Sequence, residues 1–227
     1  MKGETSKSCL ISTQSLKQVN SVTINQALIK AAQILWPNGI QFEKVLLVVT
    51  DQAPSMIKGM KDAKITFPNL NHITCLAHSL HQVCESIRIN NEETDKFIAS
   101  MKQILSKTPL RRQQFVTICG NLPPEPVITS WGTWLNCAFY YIDNLHNVEI
   151  FLNQFENKKN KVITNARKLI KSEQLRQELL SLHEFRFLPS RIDYLQSNTS
   201  TLSEQLKVLD DVKVNYQVIL WKNWIKV

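Results

Sequence analysis

In Lys44-Val45-Leu46-Leu47-Val48-Val49-Thr50 the lysine opens an unbroken run of β-branched and leucine residues that stops at Asp51. A half-solvated strand alternates apolar with polar residues. A continuous run of this length therefore reads as a strand covered on both faces, the pattern of a mixed or parallel sheet. Asp51 falls just past its carboxyl end, where a turn begins.

The flanks extend the pattern. Cys9-Leu10-Ile11-Ser12 reads as a short edge strand, and Thr23-Ile24-Asn25-Gln26 as a capping box opening a helix. Ile24, Ala27, Leu28, Ala31, Ile34 and Leu35 give that helix one apolar face, and Pro37-Asn38-Gly39 ends it. After Asp51 a short helix fits within 51–64, and Phe67-Pro68-Asn69 breaks it. His72-Ile73-Thr74-Cys75 predicts a second strand running into a helix over Leu76 to Ile89. Residues 8–90 thus read β-α-β-α-β-α. From Asn91 the texture is helical alone, with Phe97, Ile98, Met101, Ile104 and Leu105 at helical spacing. Pro123-Pro124-Glu125-Pro126 separates these from a long helix carrying Trp131, Trp134, Leu135, Ala138, Ile142, Leu145, Val148, Leu152 and Phe155 on its apolar face. Pro189 and the Ser/Thr/Asn cluster at 197–203 interrupt further helices. The expected class is α/β followed by all-α, without an internal repeat.

Composition narrows the function classes. With 43% apolar residues and only 5 Gly and 8 Pro, the chain is too hydrophobic and too poor in breakers to be disordered. No apolar run approaches the roughly 18 residues that span a bilayer, so no membrane role is expected. The cysteines, Cys9, Cys75, Cys84, Cys119 and Cys137, form an odd set, and Met1 to Asn20 is polar with scattered lysines rather than a signal peptide. A reduced, intracellular protein is expected, with the Asn198-Thr199-Ser200 sequon unused. The net charge of +8 suits a phosphate-bearing partner. Its densest source is Lys158 to Arg186, eight basic residues against Glu173, Glu178 and Glu184. Lys158, Lys159, Lys161, Arg167, Lys168, Lys171 and Arg176 form either a phosphate-tracking stripe or a solvated helix face.

Cys75, His78, His81 and Cys84 follow one another at steps of three, a spacing that suggests zinc. On one helix each such step falls about 60° short of a full turn, so the first and last face opposite ways. A closed four-ligand site is not expected.

Three blocks in this order resemble the hAT superfamily of DNA transposases, in particular the animal subgroup akin to CGG-triplet-repeat-binding-protein-like relatives. They are Val48-Val49-Thr50-Asp51-Gln52-Ala53-Pro54-Ser55-Met56, His72-Ile73-Thr74-Cys75-Leu76-Ala77-His78-Ser79-Leu80-His81 and Thr129-Ser130-Trp131-Gly132-Thr133-Trp134. The resemblance covers about residues 8–190. It implies an incomplete RNase H-like mixed sheet over 1–90 and a helical insertion region over 91–227, the C-terminal end unassigned.

In that family three acids hold two divalent metals, Mg or Mn, which clamp the attacking and leaving oxygens of the phosphodiester. Asp51 matches the second acid; read alone, it is equally a turn or helix-capping aspartate. The first acid belongs on a strand before Cys9, yet upstream of Gln41 the sequence offers only Glu4. The third belongs on a helix returning to the sheet, and Glu204, Asp210 and Asp211 stand in no recognisable context. Asp51 is therefore expected to be vestigial, binding metal weakly or not at all, and no cofactor is expected for this chain. Cys75 and His78 correspond to the pair that braces the site, or else are ordinary packing and hydrogen-bonding residues. Trp131 corresponds to the tryptophan that stacks on a flipped base, with Ser130 replacing the usual basic neighbour, or it is a core anchor. Trp134 reads as a core anchor.

The family's N-terminal zinc-finger domain and C-terminal dimerisation segment have no counterpart in the sequence, so sequence-specific targeting is not expected. The resulting expectation is a catalytically inactive transposase-derived remnant in the nucleus that binds DNA weakly and without sequence preference; no oligomeric state follows. The alternatives are an active metal-dependent transposase or nuclease within a longer chain, and a protein-interaction module.

Overall fold

The computed structural model describes residues 9–127, 132–155, 160–197 and, within 203–214, all but 205, 209 and 213. The chain forms two compact units, Met1–Ser79 and Leu80–Val227. The first combines helices with strands, and the second is all-helical among the described residues.

In the first unit, helix α1 spans Ser21–Leu35, strand β1 Leu47–Thr50, helix α2 Pro54–Ala63 and strand β2 Asn71–Thr74; α3, Leu76–Ile89, follows directly and contains the division between the units. The capping box of α1 lies three residues before the expected one. The Asn20 side chain accepts from the Thr23 N–H and the Thr23 hydroxyl accepts from the Asn20 N–H, so the helix opens at Ser21. Ile24 and Ala32 of α1 meet Met60 and Ala63 of α2, with Phe67 and Leu70 completing the buried cluster. Gly59 permits the approach of the two helices, since a Cβ there would lie 2.9 Å from the Ile24 Cγ2.

β1 and β2 pair in parallel, Leu47 opposite Asn71 through Thr50 opposite Thr74. The β-α-β link through α2 is the one the sequence predicts. Two expectations fail here. Cys9 to Ser12 is not a strand; it runs as irregular chain. β1 is not covered on both faces either. Val48 packs on the helical cluster, whereas Leu47 and Val49 are each 53% exposed and Ile73 on β2 is 40% exposed. With α1 and α2 both serving the Val48 face and only two strands among the described residues, nothing described in this unit buries the other side. The apolar run specifies a two-sided strand in a larger sheet than the one formed here.

The second unit is organised around α6, Thr133–Asn153, which packs on α4 (Glu92–Ser106), α5 (Pro109–Cys119), α7 (Lys161–Ile170), α8 (Glu173–Leu182) and α9 (Leu188–Gln196). Its core is aromatic. Phe97 meets Tyr141 edge-on with ring centroids 5.2 Å apart, and Phe115 meets Phe151 at 5.0 Å. Gly132 starts α6 at φ 80°, a conformation other residues resist.

α4 lacks a side-chain cap of its own. Glu178 on α8 takes that role, accepting from the Thr94 N–H at 2.8 Å, the Thr94 hydroxyl at 2.9 Å and the Glu93 N–H at 3.4 Å. A carboxylate there satisfies orphan donors and faces the positive end of the helix dipole. Ser172 also donates to Glu93, so the end of α7 lies beside the start of α4 and the two helices run antiparallel.

Candidate functional site

The parallel register brings Asp51 and Cys75 side by side, each one residue past the strand pair, and the Cys75 N–H donates to the Thr50 carbonyl at 2.7 Å. This is the carboxyl edge at which open α/β sheets place their ligands. Asp51 Oδ1 accepts from the Ala53 N–H at 3.0 Å, an Asx-type turn that leads into α2, whose first residue is Pro54. The turn function of Asp51 is thus realised in the hydrogen bonding.

Around Asp51 runs a small polar network. The Thr50 hydroxyl donates to the Asp51 carbonyl at 2.8 Å, and its oxygen lies 2.9 Å from His72 Nε2. Because the hydroxyl's one proton is committed to Asp51, His72 donates from Nε2. Gln52 Nε2 donates to the Ser79 hydroxyl at 2.6 Å, and Ser79 donates to the Cys75 carbonyl at 3.3 Å. Thr50, His72, Gln52 and Ser79 escaped the sequence reading as site members, although all four lie within the first two motif blocks. Cys75 and His78, half-buried, sit at and just inside the start of α3.

Among the described residues no three His, Cys, Asp or Glu side chains converge to hold a metal ion. The donor set at the edge is one carboxylate, with Oδ1 committed to a backbone N–H, together with the Cys75 thiol and the His72 and His78 imidazoles on β2 and α3. Mg and Mn take hard oxygen ligands, so the residues present do not fit the two-metal group that the resemblance implies. Further along α3, Cys84 is buried, and burial, with Glu85 adding to it, pushes its thiol up to about 12.

Trp134 corrects another expectation. It is half-buried rather than a core anchor, and its indole N–H donates to Asp95 Oδ1 at 2.8 Å. Asp95 also receives Arg88 at 3.2 Å, and Arg88 binds Glu85 at 2.9 Å. The Glu85 hydrogen bond outweighs partial desolvation and raises the Arg88 pKa. Trp134, Arg88, Asp95 and Lys102 line a cavity of about 400 Å³. No sequence spacing announces this chain, since it joins residues on three helices.

Of the basic residues singled out, Lys161 and Lys168 lie exposed on one face of α7, seven residues apart. Arg167 departs from that stripe. At about 100° per residue it turns away from Lys168, and it is half-buried beside Ala166 and Ile170. Lys171 and Arg176 are exposed beyond the helix. Ser130, Trp131, Lys158 and Lys159 lie outside the described residues. No helix among the described residues is long and apolar enough to cross a membrane. No protein-family model, curated protein or solved structure matches the chain.

Proposed function

We propose that the chain is a transposase-derived remnant that binds DNA weakly and without sequence preference and does not cut it. In this reading the first unit is a reduced RNase H-like sheet, the second derives from the helical insertion, and the work is done in the nucleus. The observation that carries it is how the Asp51 carboxylate is held at the sheet edge. Asp51 matches the second acid of the resemblance but spends Oδ1 on the Ala53 N–H, and no three His, Cys, Asp or Glu side chains of the described residues converge there. Two cations held close together repel each other, and several converging carboxylates are needed to offset that repulsion. The DNA-binding half rests on the exposed Lys161, Lys168, Lys171 and Arg176.

The test is a supercoiled-plasmid and hairpin-cleavage assay with magnesium or manganese, run beside a fluorescence anisotropy titration of duplex DNA over a salt series. The expected result is no cleavage, with binding that weakens steeply as salt rises. Metal-dependent cutting that Asp51→Asn abolishes would overturn the proposal. That outcome would favour a second reading, a live enzyme whose sheet and acids are completed by further chain, which the half-exposed Leu47, Val49 and Ile73 independently favour. Affinity indifferent to salt would favour a protein-interaction module instead.

A further inference from the structure

Antiparallel α4 and α7 enclose a shallow cleft of about 810 Å³ along the exposed lysine face of α7. Its polar lining is Ser100 and Gln103 from α4 with Asn160, whose Oδ1 caps α7, and Lys161, Thr164, Asn165 and Lys168 from α7. Among the described residues no carboxylate lines it. Elsewhere in the unit cations are commonly matched, as in Lys96 with Glu92 at 2.6 Å, Lys102 with Glu125 at 2.9 Å, and Arg186 with Asp143. Lys161 and Lys168 take part in no ion pair among the described residues, and no hydrogen bond among them engages the side chains of Gln103, Thr164 or Asn165. Ser100 at the floor has its proton on the Lys96 carbonyl. Among the described residues the cleft thus presents two positive charges with the uncommitted side chains of Gln103, Thr164 and Asn165, and no anion.

The spacing of those donors is informative. Seven residues of α-helix place Lys161 and Lys168 about 10 Å apart along the axis. The rise of about 3.4 Å per nucleotide of a stacked strand is measured along the duplex axis, and phosphates winding around that axis lie farther apart than the rise. The two flexible lysines therefore reach phosphates about one to two steps apart on one strand. Thr164 and Asn165 fall between them on the same exposed side of α7. Neutral donors flanked by ammonium groups are suited to backbone oxygens and carry no base code.

We infer that the α4/α7 cleft seats the sugar-phosphate backbone of one DNA strand, Lys161 and Lys168 each meeting a phosphate and Gln103, Thr164 and Asn165 donating to the oxygens between. This deepens the DNA-binding reading above and rests on it. The α4 residues are new to the surface, and Arg167 is excluded from it.

The experiment measures anisotropy of a fluorescein-labelled duplex and of its single strand with the full chain. Asn165→Glu and Gln103→Glu put a negative charge into the cleft at exposed positions without touching a lysine. Each is expected to weaken binding at least tenfold. The Lys161→Gln/Lys168→Gln double variant is expected to flatten the slope of log affinity against log salt by about 1.8 on duplex and about 1.4 on single strand. Lys58→Glu on the exposed face of α2 is the control for net charge and is expected to change affinity less than threefold. If the wild type binds DNA while both cleft variants bind like it, or Lys58→Glu weakens binding as much as they do, the cleft is overturned and the DNA-binding reading stands. If the wild type binds neither DNA, both fall together.

Discussion

Replacing Glu178 by Ala removes the carboxylate that caps α4 from a neighbouring helix. The loss has two parts. Three donors, the Glu93 and Thr94 N–H groups and the Thr94 hydroxyl, lose a charged acceptor; hydrogen bonds to a charged partner contribute about 1.5–3 kcal/mol each at most, and Glu178 is only partly buried, so the gain is discounted. Thr94 is fully buried, so its hydroxyl is left without an acceptor at a cost of about 1–3 kcal/mol. A net destabilisation of about 2–4 kcal/mol follows, or roughly 5–12 °C in Tm for a chain of this size. Urea unfolding of the full chain measures it, as a lower midpoint with an unchanged slope. Because the orphaned hydroxyl carries much of the penalty, Thr94→Val added to Glu178→Ala should cost less than the two single changes summed. A cost under about 0.5 kcal/mol for Glu178→Ala, or strict additivity in the double variant, would refute the capping argument.

Three further outcomes are expected. Gly59→Ala should destabilise the first unit although Ala is worth about 1 kcal/mol over Gly inside a helix, because its Cβ would lie 2.9 Å from Ile24 and 3.3 Å from the Ser21 carbonyl; hydrogen exchange in α1 should accelerate, and a slower exchange would contradict the packing described. Phe97→Ala should cost about 3–5 kcal/mol in urea unfolding, since the ring is fully buried against Tyr141, and a loss below about 1 kcal/mol would show that the core repacks freely. Burial raises Cys84 and Cys137 from 9.0, and Tyr140 from 10.0, to about 12. The folded chain then holds protons that the unfolded chain releases, so this stability is fully present below pH 9.0 and declines as pH climbs toward about 12. Urea midpoints measured across that window should fall, and a thiol reagent near neutral pH should modify exposed Cys9 well before Cys84 or Cys137.

Local chemistry explains which parts of this molecule can be read from its residues. The β1–α2–β2–α3 order was legible because Val45 to Thr50, Phe67-Pro68-Asn69 and the helical period after Leu76 each act through neighbours in the chain. The adjacency of Asp51 and Cys75 followed, since consecutive parallel strands joined by a helix commonly pair. The number of strands was not legible. Leu47 and Val49 are as apolar as buried strand residues, and nothing in their identity records that the layer meant to cover them is missing from the described structure. Trp134 misled for a related reason, because its spacing matches the α6 core face while its indole N–H needs an acceptor, and Asp95 supplies one at the margin. Long-range caps such as Glu178 on α4 join residues more than eighty positions apart, and no helix-end signature at Asn91 discloses them.

The division between the two units has a practical consequence for dissecting the molecule. It falls after Ser79, within the fourteen residues of α3, Leu76–Ile89. A polypeptide terminated at that point would retain Leu76 to Ser79 alone, a single turn, and one turn is far below the length at which helix propagation repays nucleation. The Ser79 hydroxyl that receives Gln52 and the backbone that orients His78 would lose their scaffold together. Expression boundaries drawn for the first unit should therefore run through Ile89, so that the carboxyl edge carrying Asp51 and Cys75 is studied with its helix complete.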